Sequence, residues 1–205
     1  MNRWILILGW YLSSLALLSY KQIYADSFDI WDARPDAQTQ VLLKKLNAEP
    51  LPSLDEESLK SLQETPLNIE KTLLPQIQKI ENIHIPGPIG PIKMRLYTPR
   101  TPHQDLLPVL VFFHGGGWVL GSLDEYDEIC QKICTQTPCL VVSVDYHLAP
   151  QHKFPEPLND CYTATQWVAE HIRQFRGDPH RLAIGGDSAG GNLAAAVALM
   201  ARDKG

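Results

Sequence analysis

The sequence has no surplus of positive charge: 18 Lys and Arg stand against 23 Asp and Glu, for a net charge of −5. A chain that neutralises nucleic-acid phosphates needs a basic patch, so nucleic acid is excluded as the expected partner. Cysteine is scarce, with four residues, and none forms a C-x-x-C pair. Cys130 and Cys134 stand four apart on one helical face, and Cys139 and Cys161 stand alone. That spacing suits neither a zinc site nor a dithiol redox centre, so no metal is expected and small buried apolar residues are the reading. The 16 prolines and 13 glycines follow no period, which excludes collagen-like and solenoid architectures. A hydrophobic share of 44% with 20% charged residues is that of an ordinary globular domain and excludes general disorder.

Long apolar runs are also rare. The longest extends from Trp4 to about Tyr20, behind Arg3 and ahead of Lys21. With Ile23-Tyr24-Ala25 before Asp26, residues 1–25 read as an export signal that is cleaved after Ala25. The alternative is an uncleaved membrane anchor, although the run is short of the roughly 20 residues a span needs. Either way the expected location is exported, periplasmic or secreted, or held at the membrane by this segment.

Residues 26–79 are polar and poor in strand signals. Val41, Leu42, Leu43 and Leu46 form a helical stripe within Ala37–Asn47. A second short amphipathic helix carries Leu54, Leu59 and Leu62, with Ser53 as its candidate N-cap. Neither is apolar enough to make a core alone, so both are expected to cover another body.

The pattern changes at residue 80. Ile80–Ile85 and Ile92–Tyr97 alternate apolar and polar residues around a Pro- and Gly-rich joint at 86–91, which reads as a hairpin. Pro108–Phe113, Leu140–Val144 and the short Leu182–Ile184 are continuous apolar runs, as expected of strands buried on both faces. Helical segments at Leu123–Gln136, Leu158–Phe175 and Asn192–Arg202 separate or follow them. The order is that of an α/β fold, with a mostly parallel sheet and an antiparallel start.

Two glycine motifs carry chemistry. Gly186-Asp187-Ser188-Ala189-Gly190 is a G-x-S-x-G sequence between a predicted strand and a predicted helix. In that context the serine sits on a turn so tight that its neighbours must be small, and its hydroxyl projects above the sheet. Ser188 is therefore the candidate nucleophile, with Gly186, Asp187 and Gly190 as structural members of the turn. His114-Gly115-Gly116-Gly117-Trp118 follows the strand ending at Phe113. Its glycines can turn backbone N–H groups towards a ligand. The amides of Gly115, Gly116 and Gly117, together with that of Ala189, are the candidate oxyanion hole. His114 is read as structural, shaping the loop.

These motifs, with Asp145-Tyr146-His147-Leu148-Ala149-Pro150, Phe154-Pro155, Gly177-Asp178-Pro179 and Gly191-Asn192, resemble the hormone-sensitive lipase family of α/β-hydrolases, bacterial carboxylesterase type, from about Asp36 to Gly205. The resemblance implies an α/β-hydrolase fold with an N-terminal helical cap over 26–79. It also implies hydrolysis of small carboxylic esters without a cofactor. His147 stands where the family usually has Arg, and Gln151 where it often has Glu. Both lie on the loop after the fourth strand, where loosening is the expectation.

The family's order is serine, then acid, then histidine. All seven histidines here precede Ser188, and the one acidic residue after it is Asp203. On a helix starting at the turn, Asp203 lies roughly 20 Å from the serine. The triad Asp and His are thus absent from these residues, as are C-terminal strands that the resemblance implies. Three readings follow. The first is an esterase lineage whose chain is inactive alone. The second is a catalytically dead pocket that binds a small ligand. The third is the N-terminal part of a split hydrolase that needs a complementing C-terminal chain.

Overall fold

The computed structural model describes residues 36–46, 48, 55–65, 73–101 and 105–204. The chain divides after Pro52 into two units. In the first, a ten-residue helix, α1 (Ala37–Leu46), is described. Asp36 opens it, its Oδ1 accepting the N–H of Thr39 at 2.8 Å, and Lys44 and Lys45 face the carbonyl end. Residues 1–25 lie outside the described residues. Among the described residues, no helix is long and apolar enough to cross a membrane.

The second unit begins with α2 (Glu56–Glu64). Its N-cap is Asp55, whose Oδ1 accepts the N–H of Ser58 at 2.8 Å. The sequence pointed to Ser53, which lies outside the described residues. The aspartate holds the role because it stands three positions before a free helix amide.

Five strands form one sheet: β1 (Ile77–Ile85), β2 (Ile92–Pro99), β3 (Leu107–Phe113), β4 (Leu140–Asp145) and β5 (Gly177–Gly186). Their spatial order is β1-β2-β4-β3-β5. β1 and β2 form an antiparallel hairpin, β2 runs antiparallel to β4, and β3 is parallel to both β4 and β5. The apolar runs of β3 and β4 fill both faces with period 2. Leu140, Val142, Val144, Val111 and Phe113 pack on one side with α4 (Glu156–His171) and α5 (Ala189–Lys204). Val141 and Phe112 point the other way, to Tyr97, Cys130 and Cys134 beneath α3 (Asp127–Gln136).

Several bounds differ from the sequence reading. α3 starts at Asp127 rather than Leu123, because residues 123–126 form a turn tied to Arg95. α4 starts at Glu156, with Pro157 in its first turn, and gives way to a 3₁₀ turn over Ile172–Phe175. α5 starts at Ala189, directly after the serine. β5 extends back to Gly177, through Asp178-Pro179-His180-Arg181.

Arg95 on β2 is a buried charge. Its Nη1 lies 2.8 Å from Asp124 Oδ1 and 2.9 Å from Asp127 Oδ1. Its Nε donates to Asn82 Oδ1 at 2.9 Å. Tyr97 OH donates to Asp127 Oδ1 and Gln131 Nε2 to Asp127 Oδ2. Gln131 Oε1 in turn accepts the N–H of Leu74. Every strong group in this cluster meets a partner of opposite polarity, which is what makes its burial tolerable. All four cysteines are buried and free, and burial pushes the thiols of Cys130 and Cys134 up to about 12.

Candidate active site

The site forms where β3 and β5, neighbours in the sheet, both end. β5 finishes at Gly186 and α5 begins at Ala189, so Asp187 and Ser188 alone make the turn. Ser188 has φ 50°, a left-handed backbone that costs a non-glycine residue roughly 1–2 kcal/mol. Two bonds hold it there: Gly190 N–H donates to Asp187 O at 2.8 Å, and Asn192 N–H to Ser188 O at 3.1 Å. A Cβ at Gly186 or Gly190 would collide with the carbonyl oxygen of Phe113 at the end of β3. The turn therefore packs against β3 by backbone contact, and Ser188 is left exposed above the sheet.

The loop after β3 also runs through left-handed backbone, at Gly116 (φ 113°), Gly117 (φ 64°) and Trp118 (φ 62°). Val119 and Leu120 N–H both donate to Gly116 O, closing the loop on itself. The chain returns at Gly121 (φ 101°), against the His114 ring.

The structure corrects one candidate. The Gly115 N–H donates to Asp187 Oδ1 at 2.9 Å and lies 3.1 Å from Tyr126 OH. That amide is occupied, so Gly115 leaves the oxyanion set and becomes part of the support. Asp187 Oδ2 accepts Tyr126 OH at 3.0 Å. By contrast, the amides of Gly116, Gly117 and Ala189 donate no hydrogen bond among the described residues. Gly116 and Gly117 follow directly on the Gly115 that is bonded to the serine turn, Ala189 directly follows the serine, and the N-terminus of α5 adds its partial positive charge.

His114 is fully buried. Its Nδ1 lies 2.8 Å from Gly115 O, which assigns the proton to Nδ1. Its ring stacks on Tyr146 with centroids 4.3 Å apart, and Tyr146 OH donates to His114 O at 2.7 Å. Burial holds the imidazole below its usual pKa, against smaller opposing contributions from the Gly115 bond and nearby carboxylates.

The two family departures are both tied down rather than loosened. His147 Nδ1 lies 2.6 Å from Asp160 Oδ2, and the same oxygen accepts the His147 N–H. Gln151 Nε2 donates to Gln63 Oε1 at 3.0 Å. Among the described residues Ser188 Oγ has no hydrogen-bond partner; His114 Nδ1 meets Gly115 O and His147 Nδ1 meets Asp160 Oδ2 instead. Asp203 pairs instead with Arg202, at 2.7 Å on exposed helix surface. No group of three His, Cys, Asp or Glu side chains that could hold a metal ion occurs among the described residues.

Sequence reasoning gave no role to Tyr126, Tyr146 or Gln63. Tyr146 lay inside a quoted motif. Tyr126 and Gln63 act on partners far away in the chain and had no local signal.

Residues 110–205 match the family described as alpha/beta hydrolase fold. The chain is 41% identical over 175 residues to Esterase LipI of Mycobacterium tuberculosis, covering 85% of this chain and 54% of that protein. It is 43% identical over 133 residues to Carboxylesterase NlhH of the same species, covering 65% of this chain and 41% of that one. A solved hyperthermophilic esterase from the archaeon Pyrobaculum calidifontis superposes with a TM-score of 0.65 at 37% identity, over 82% of this chain and 53% of the other. The chain thus spans about half the length of the relatives it matches. With a serine turn and a glycine loop assembled at the ends of β5 and β3, the chain has an α/β-hydrolase fold and is similar to esterases of that fold.

Proposed function

We propose that these residues supply the nucleophile and oxyanion hole of a serine carboxylesterase acting on small carboxylic esters. The observation that carries the reading is Ser188 at φ 50°, on a turn that Asp187 bonds to the glycine loop at Gly115. In this mechanism Ser188 Oγ attacks the ester carbonyl carbon while a base takes the hydroxyl proton. The carbonyl oxygen becomes an oxyanion and accepts the N–H groups of Gly116, Gly117 and Ala189. Collapse of the tetrahedral intermediate expels the alcohol, which receives the proton. Water then releases the acid from the acyl-serine by the same route.

The base and its orienting acid come from outside these residues in this reading, either from further polypeptide or from a second chain. A hydroxyl without a base stays protonated and weakly nucleophilic. Residues 1–25 serve export or anchoring, as their composition suggests.

The test is aryl-ester hydrolysis by the 205-residue protein, alone and mixed with a C-terminal family segment carrying Asp and His. A Ser188→Ala variant is the control. Little turnover alone and Ser188-dependent turnover in the mixture support the reading. Full turnover by the chain alone means that an upstream histidine acts as base.

A further inference from the structure

We propose that Gln63 is a positioning residue whose side-chain amide clamps the oxyanion loop to α2. The inference rests on the serine-hydrolase reading for its consequence, but its geometry is independent of it. Gln63 Nε2 donates to Val119 O at 2.5 Å and to Ala149 O at 2.9 Å, across 56 and 86 positions of sequence. Its Oε1 accepts Gln151 Nε2 at 3.0 Å. Both amide protons and the carbonyl oxygen are thus engaged. That pattern fixes the orientation of the amide, because two carbonyl acceptors require the nitrogen on their side.

The two carbonyls belong to segments that already touch. Ala149 N–H donates to Trp118 O at 2.9 Å. Val119 N–H and Leu120 N–H close on Gly116 O. One side chain therefore joins α2, the loop carrying Gly116 and Gly117, and the loop after β4.

The oxyanion loop needs such a clasp. Its glycines have no backbone preference for the conformation they hold. Trp118 and Leu120 are 42% and 38% exposed, so burial does not pin them. Among the described residues, the bonds that fasten residues 116–120 to other segments are the Trp118–Ala149 pair and the Gln63 clamp. Catalysis by an oxyanion hole depends on donors fixed before charge develops. A loosened loop therefore acts on the chemical step more than on substrate capture.

Gln63→Met keeps the length of the side chain and removes both donors. Gln63→Glu keeps the shape and sets a carboxylate against two carbonyls. Hydrogen exchange by mass spectrometry on the intact protein reads the outcome. Both variants are expected to exchange about fivefold faster or more in peptides covering 116–121 and 147–152, with strands β3 and β4 unchanged. Unchanged exchange at 116–121, with faster exchange confined to α2, would show that Gln63 only anchors the helix and would overturn the proposal. Loss of protection in β3 and β4 of both variants would show a global folding role and would overturn it too. In an ester-hydrolysing form, kcat is expected to fall about tenfold with KM nearly unchanged. A rise in KM with kcat retained contradicts the clamp. Wild-type protein that never hydrolyses ester counts against the esterase reading and leaves the exchange result to decide the clamp.

Discussion

Asp187 reaches across 72 positions of sequence to accept the backbone N–H of Gly115 at 2.9 Å. Each of the two stands next to a candidate site residue: Asp187 precedes Ser188, and Gly115 precedes Gly116. Their bond fixes the serine turn against the loop that holds Gly116 and Gly117. Tyr126 OH holds the second carboxylate oxygen at 3.0 Å, so the carboxylate cannot turn away from the loop.

Replacing Asp187 therefore separates chemistry from folding. In an ester-hydrolysing form, Asp187→Ala is expected to lower kcat by about 100-fold, the scale of a misplaced oxyanion donor, with a small change in KM. Asp187→Asn, which retains one acceptor, is expected to fall between. Steady-state kinetics check both, and equal kcat values for all three proteins would refute the coupling.

The loop glycines separate by what surrounds them. Gly121→Ala places a Cβ against the His114 ring and the Gly115 carbonyl at φ 101°, and is expected to cost roughly 3 kcal/mol. Gly117→Ala meets open space at φ 64° and is expected to cost about 1 kcal/mol of backbone strain. Urea unfolding of the two variants measures the gap.

Beneath α3, Arg95→Met strands the carboxylates of Asp124 and Asp127, and is expected to cost about 3–5 kcal/mol. The double variant Arg95→Met with Asp127→Leu removes charges of both signs. It is expected to fall short of the summed single costs by about 1–3 kcal/mol. Chemical denaturation of the four proteins completes the cycle.

The parts of the fold legible in the sequence were those whose signal is local. β3 and β4 are unbroken apolar runs because both faces are buried. The glycine motifs show because backbone meets backbone at Phe113. β5 was read only at its apolar end: its first half, Asp178-Pro179-His180-Arg181, is polar and coincides with a register shift between Leu107 and Val109. Arg95 looked like the polar half of an alternation, yet it is buried because Asp127, 32 positions away, neutralises it. The occupied amide of Gly115 and the clamp at Gln63 depend on partners that no local pattern announces.

His114 gives a pH dependence of stability. Its folded-state pKa is held below the ordinary 6.5 chiefly by burial, so the unfolded chain takes up the proton first. The stability this provides is complete above about pH 6.5 and is lost as pH falls towards the depressed folded value. The slope contributed is at most about 1.4 kcal/mol per pH unit. Denaturation curves between pH 7.5 and about 5 are expected to show that component in the wild type and not in His114→Asn.

Phosphonylation by an activated aryl phosphonate, located by peptide mass spectrometry, tests Ser188 as nucleophile most directly. In the mixture with a C-terminal segment carrying Asp and His, a single adduct on Ser188 is expected. In the 205-residue chain alone the same adduct is expected to form about 10³-fold or more slowly, for want of a base. An adduct on any other residue, or equal rates with and without the segment, would contradict the account.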